Sequence, residues 1–169
     1  TPYSHSITPR LEYCAYLVKV ILERLQKEHH SLQKTNIESY SKNEDLIKNT
    51  DFKKQIEIEA SLSCAIGALK AAKSRLESIS QIDNIATAIS PLISIIRMIN
   101  SNIYANMPHS SHDLIELSTT LGSIVMDSGS LVEAKFDFKQ TNLESTRILA
   151  EVNLIVESKI RTQYPNLNF

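Results

Sequence analysis

The stretch 58-IEASLSCAIGALKAAKSRLESI-79 decides the fold class. Its apolar residues Ile58, Leu62, Ala65, Leu69, Ala72, Leu76 and Ile79 fall at alternating spacings of four and three, the seam of a helix packed lengthwise on another helix. Strand would require alternation with period two, which is absent here. Ala65 and Ala72 keep the seam narrow enough for close approach.

Upstream, Leu11, Ala15, Val18, Leu22, Leu25 and Leu32 occupy one side of a helical wheel, with Lys19, Glu23, Lys27 and Lys34 on the other. Thr8-Pro9 reads as a helix start, because proline lacks only an N–H that the first turn leaves unused. A first helix of roughly 33 residues follows, about 50 Å long at 1.5 Å per residue. The polar segment 41-SKNEDLIKNTDF-52 holds a Ser41-x-x-Glu44 capping box and an Asn49-Thr50-Asp51 cap, so a turn is expected there. The two long helices then form a hairpin over about residues 8–82.

Beyond Ile79 the rhythm slips by one residue and resumes at Ile82, Ile85, Ile89, Leu92, Ile96, Ile99 and Ile103. Asp83 and Asn84 lie at the slip and Pro91 within the next run, so these three residues mark a candidate hinge. Further helices are expected at about 85–107 and, capped by Ser110-x-x-Asp113, at about 110–128, ending by Gly129. Residues 1–129 then form a helical core and 130–141 a linker. A last helix over 142–164, capped by Thr141-x-x-Glu144, would pack through Ile148, Val152, Ile155 and Val156 and stop at Pro165. A compact domain of this length has a radius of gyration near about 15 Å; helices this long predict a rod. A hairpin seam of Leu11, Val18, Leu22 and Leu25 against Ile58, Leu62, Leu69 and Leu76 is the expected core.

Composition narrows the chemistry. Only 3 of the 169 residues are glycine, standing apart, so no phosphate-cradling loop is present. The formal charge is −1, which gives no basic excess for nucleic acid. The distribution is uneven, mildly basic up to Arg97 and mildly acidic after it. Cys14 and Cys64 are single residues at apolar helical positions, without a CxxC pair. His29-His30 and His109-x-x-His112 lack accompanying ligands and read as surface histidines, so no metal or cofactor is expected. No nucleophile sits at persuasive spacing from a base, and no catalytic residues are assigned. No apolar run approaches membrane-spanning length and no leader pattern opens the chain, so the expected location is cytoplasmic. Lys19, Lys27 and Lys34 share a stripe of the first helix that could face a membrane or a polymer neighbour, although Glu12 and Glu23 interrupt it.

Three stretches resemble the ESCRT-III superfamily, specifically its archaeal CdvB-type proteins: 68-ALKAAKSRLESI-79, 89-ISPLISIIRMINSNIYANMPHSSHDLIELSTTL-121 and 144-ESTRILAEVNLIVESKIRTQYPNL-167. Their order, with the long first helix, covers nearly the whole chain. The resemblance implies an all-α fold, an elongated helical hairpin on which shorter later helices pack. It implies a non-enzymatic subunit that polymerises with itself and with paralogous subunits on anionic membrane surfaces, for membrane remodelling and scission in archaeal cell division or vesicle budding. The last helix would then be regulatory and autoinhibitory. An AAA ATPase of the pathway would take the polymer apart, acting directly or through another subunit. The location implied is the inner face of the cell membrane at the division site. The alternative is a coiled-coil scaffold or adaptor that forms a discrete oligomer indifferent to lipid.

Overall fold

The long apolar rows make five α-helices in the computed structural model, which describes residues 2–42, 50–79, 85–128 and 138–167. They are α1 (Pro2–Lys42), α2 (Thr50–Ser78), α3 (Ile85–Ile103), α4 (Pro108–Asp127) and α5 (Phe138–Gln163). Among the described residues there is no strand. The all-α class expected above, a long helical hairpin with shorter helices packed on it, is the class observed.

α1 and α2 run antiparallel. Asn36 meets Gln55 and Glu59 near the turn, while Lys19 and Gln26 share a groove with Glu77 and Lys70 further along. The α1 row Cys14, Val18, Ile21 and Leu25 is wholly buried, facing Leu62, Ala65, Leu69, Ala72 and Leu76 of α2 in one core. α3 packs on α2, and α4 folds back against both α3 and α1. α4 is antiparallel to α1, since Arg10 reaches Asp127 and Arg24 reaches Asp113. Finally α5 runs antiparallel along α2 and against α3, with Glu144 beside Arg75 and Tyr164 beside Glu59.

Several helix ends differ from the sequence expectation. α1 does not begin at Thr8-Pro9 but runs from Pro2, with Pro9 inside it. The upstream turns place Ile7 in the core, although Pro9 removes one backbone hydrogen bond of the helix. Ser41 caps no following helix; its hydroxyl donates back to the carbonyls of Ile37 and Glu38 in the last turn of α1. Glu44 and Asn49 lie outside the described residues, as do Asp83, Asn84 and Gly129. Pro91 lies within α3, so the interruption after α2 falls upstream of it.

α4 starts two residues before the expected Ser110 cap. Met107 is its N-cap without a side-chain hydrogen bond, and Pro108 fills the first helical position. Ser110 is fully buried instead, and Ser111 donates to Asn100 Oδ1 at 2.5 Å, tying α4 to α3. α5 begins at Phe138 and not after a Thr141 cap. The expected linker therefore ends in helix, and its residues 130–137 lie outside the described set.

The fold depends on Leu69, which is 0% exposed in the hairpin core. Replacing Leu69 by Asp should cost more than about 3 kcal/mol by placing a charge in that seam. Leu154→Asp, at a site 68% exposed on α5, should stay within about 0.5 kcal/mol. Urea unfolding followed by circular dichroism separates the two; equal midpoints would contradict this packing.

Candidate functional site

Two surfaces of α1 carry its basic residues, and they differ in what covers them. Lys19, Lys27 and Lys34 are exposed. Lys19 lines a shallow groove between α1 and α2 together with Lys70 and Lys73, so α2 extends the basic stripe. Glu23 and Glu77 line the same groove and dilute its charge. The other surface lies beneath α4. There Arg10 Nη1 donates to Asp127 Oδ2 at 2.7 Å and to Ser123 Oγ at 3.0 Å. Arg24 Nη1 donates to Asp113 Oδ2 at 2.8 Å, and Tyr13 Oη to Glu116 Oε1 at 2.5 Å. That bond, made to a carboxylate, raises the Tyr13 phenol above its ordinary range, with smaller contributions from burial and from the charges of Glu116 and Asp113.

These charge clips orient α4 more than they hold it. Partly exposed ion pairs are worth about 0.2–1 kcal/mol each. Leu114, Leu117, Leu121 and Ile124 are all 0% exposed, and burying each such side chain is worth about 1.5–3 kcal/mol. The acids fix the register of α4 on α1, while its leucines supply the adhesion.

α5 makes a second covering layer that reaches the hairpin tip. Ile148 joins the main core, whereas Val156, Ile160, Tyr164 and Leu167 form a separate cluster with Phe52 and Ile56 of α2. Val152 lies at its edge, partly buried. Ile155, expected to pack, is 57% exposed. The buried row advances by four residues at each step, from Ile148 to Tyr164, and Ile155 stands one residue off it on the solvent flank. Arg75 Nη2 donates to Glu144 Oε1 at the other end of the layer.

The tip cluster is aromatic outside and polar within. Tyr164 is 0% exposed. Its ring meets Tyr40 edge-on at 5.2 Å and Phe52 edge-on at 6.2 Å, arrangements that aromatic quadrupoles favour. Tyr164 Oη donates to Glu59 Oε1 at 2.7 Å, and Asn36 Nδ2 donates to the same oxygen at 3.0 Å. Burial, followed by the bond to Glu59, pushes the Tyr164 phenol far above its ordinary range, so it stays a donor at any physiological pH. His29 is held below its usual value by burial, opposed by the charge of Glu59 and assisted by Lys159 and His30.

Midway along the layer the Val152 side chain rests against the backbone of α2 at Gly67. A Cβ on Gly67 would lie 2.9 Å from Val152 Cγ1, so a larger residue there would have to shift the valine. Beside it Cys64 Sγ donates to Asn153 Oδ1 at 3.0 Å. Both cysteines are free thiols. Burial pushes the Cys14 thiol up to about 12 and raises that of Cys64.

Arg10, Arg24, Gly67 and Tyr164 were not singled out from the sequence, and Glu59, which beside the seam residue Ile58 reads as solvated, is instead 1% exposed. Glu59 carried a legible signal, a charged residue on the buried row Phe52, Ile56, Glu59, Leu62. Ile58, assigned to that seam, packs only at the edge of the core, and Leu11 does likewise. His109 and His112 are exposed, and among the described residues no cluster of three or more metal-ligating side chains occurs. No described helix is long and apolar enough to cross a membrane.

No model of a known protein family matches the chain, and no solved structure matches it significantly. It is 24% identical over 149 residues, 88% of its length, to Cell division protein B1 of Sulfolobus acidocaldarius. It spans 66% of that relative, just under two thirds. A match of this reach supports the resemblance to CdvB-type proteins of the ESCRT-III superfamily.

The close approach at Gly67 gives a test of α5 docking. Gly67→Ala should raise the intrinsic stability of α2 by about 1 kcal/mol yet push Val152 away. Alkylation of Cys64 should therefore quicken severalfold while helicity does not fall and Cys14 stays unreactive. Unchanged Cys64 labelling would mean that α5 does not rest at this depth in solution.

Proposed function

We propose that this chain is a non-enzymatic ESCRT-III-like subunit of cell division, held in a closed form by α4 and α5 and polymerising on an anionic membrane when they are displaced. The observation that carries this reading is the placement of the acidic side chains of α4 over Arg10 and Arg24 of α1. A helix bearing Asp113, Glu116 and Asp127 masks cationic residues of the hairpin that a membrane or a neighbouring subunit would otherwise meet. The exposed Lys19, Lys27, Lys34, Lys70 and Lys73 give the same hairpin a further basic surface. Each lysine near an anionic surface is worth about 1 kcal/mol, so one subunit binds weakly and a polymer firmly.

On this reading the partners are further copies of the chain, paralogous subunits, the anionic inner face of the cell membrane at the division site, and the AAA ATPase of the pathway. The candidate hinge is the segment between α2 and α3, which contains Asp83 and Asn84, with Pro91 stiffening the start of α3. Merging α2 and α3 would lengthen the hairpin arm. α5, with Ile148, Val152 and Val156, is the regulatory helix. Its domain is 138–167, set against a core of residues up to 128.

The test is co-sedimentation with phosphatidylserine-containing liposomes, with electron microscopy of the pellet. The full chain is compared with Asp113→Asn/Asp127→Asn, which removes the α4 clips. Glu151→Gln/Glu157→Gln is the control, removing the same charge from exposed pairs on α5. The α4 variant should pellet with lipid severalfold more than either other protein and show filaments. A discrete, lipid-indifferent oligomer from all three would replace this reading with that of a fixed coiled-coil scaffold.

A further inference from the structure

α4 carries a second row of residues that the fold leaves uncovered. Pro108, His112, Ile115, Thr119, Gly122 and Met126 recur at alternating spacings of four and three, the same rhythm as the hairpin seam. At about 100° per residue this row lies on the far side of the helix from the buried Leu114, Leu117, Leu121 and Ile124. Asp113, Glu116 and Asp127, which meet α1, occupy a different flank. Ile115 is 53% exposed and Met126 71%. Glycine inside a helix weakens it, and at Gly67 the Val152 side chain fills the space so vacated. At Gly122 nothing among the described residues lies within 4 Å of where a Cβ would be.

The middle of this row is complementary to itself. From Ile115 to Met126 it reads large, small, small, large in either direction, and no charged residue interrupts it. The two ends of α4 differ in chemistry. His109 and His112 are exposed near its N-terminus, and Asp127 is exposed at its C-terminus.

We propose that this row is a contact between two copies of the chain, with α4 lying antiparallel on α4 about a twofold axis between Thr119 and Gly122. Ile115 then meets Met126 of the second copy, and Thr119 meets its Gly122, so large side chains flank a close approach of the two backbones. Such a contact is isologous, one patch meeting itself. The antiparallel sense brings His109 and His112 towards Asp127 and the last carbonyls of the opposite helix, where donors and positive charge are favoured. A parallel copy would set histidine against histidine and Asp127 against Asp127. α4 has 20 residues and is about 30 Å long. One helix pair of this length falls short of the about 1,200–2,000 Å² of a lasting interface, so the dimer is weak and exchanging. It uses none of the hairpin residues assigned to membrane or polymer contact, and it does not depend on that reading.

The experiment follows the full chain, without lipid, by sedimentation velocity from micromolar to near-millimolar concentration. A monomer–dimer equilibrium is expected. Ile115→Asp and Met126→Asp should each raise its dissociation constant about tenfold or more, as loss of an interface anchor does. Leu154→Asp, equally exposed but on α5, should leave it unchanged. Gly122→Gln should weaken the dimer while the melting temperature does not fall, because glutamine is the better helix former and has open space to enter. The sense of the pair is read by a short bis-maleimide. It should join Ile115→Cys chains to Met126→Cys chains in a mixture, and neither variant alone, nor the parent with only Cys14 and Cys64, should crosslink. A monomer at every concentration, or a dimer indifferent to Ile115→Asp and Met126→Asp, would overturn the proposal. Crosslinking of Ile115→Cys to itself would replace it with a parallel pair. Loss of the dimer in the Asp variants without the mixed crosslink would mean that another helix of the second copy covers this face, and would overturn the α4–α4 contact as well.

Discussion

A hairpin seam longer than any one helix available to cover it governs the whole arrangement. α1 has 41 residues, about 60 Å of helix, whereas α3, α4 and α5 have 19, 20 and 26. The cover must therefore be built in pieces. α3 and α4 form a second, shorter hairpin over the part of α1 and α2 remote from their turn. α5 takes the rest, running along α2 to the tip. Where the two covers meet, Ser61, Cys64 and Ala65 of α2, Met98 and Ile99 of α3, and Leu149 and Asn153 of α5 enclose a small cavity. Small residues at the junction let three helices converge there, and they leave it less tightly filled than the core on either side.

The two covers are fastened by different physics. α4 adheres through a leucine row, with exposed acids setting its register. α5 carries part of its burial at the tip, where the interior includes a carboxyl group, an amide and a phenol. Buried polar groups of this kind add little net stability, because their desolvation offsets the bonds they make. They do impose position: only one depth of α5 brings Tyr164 Oη to Glu59 and its ring between Tyr40 and Phe52. An all-apolar tip would bind more strongly and in several registers. The polar tip holds α5 at one depth and with a smaller margin.

Much of this was legible in the sequence because helices announce themselves through periodicity. The α2 row from Leu62 to Ile79, the α1 row through Val18, Leu22 and Leu25, and the helix-stopping role of Pro165 all follow from local spacing. Capping was less legible. Thr8, Ser110 and Thr141 each stand at the head of a convincing motif, yet each helix begins before it: burial of Ile7 accompanies the longer α1, and Pro108 fills the first position of α4. Pairings between distant segments leave no local trace. Nothing near Arg10 or Arg24 indicates that Asp127 and Asp113 will lie beside them. Ile155 misled because the apolar face of α5 is broad, and only the partner decides which flank is covered.

Gly67 shows how the covering helix shapes the one it covers. Glycine in the middle of a helix gives up about 1 kcal/mol relative to alanine. The return comes only when Val152 occupies the space where a Cβ would be. α2 by itself therefore bears a weakness at its middle that the packing of α5 offsets. The same logic holds for Glu59, whose Oε1 accepts from Asn36 of α1 and gains its second donor only from Tyr164. Both positions are intelligible as parts of α2 only when α5 is in place, so the docking of α5 is encoded in the hairpin itself as well as in the helix that covers it.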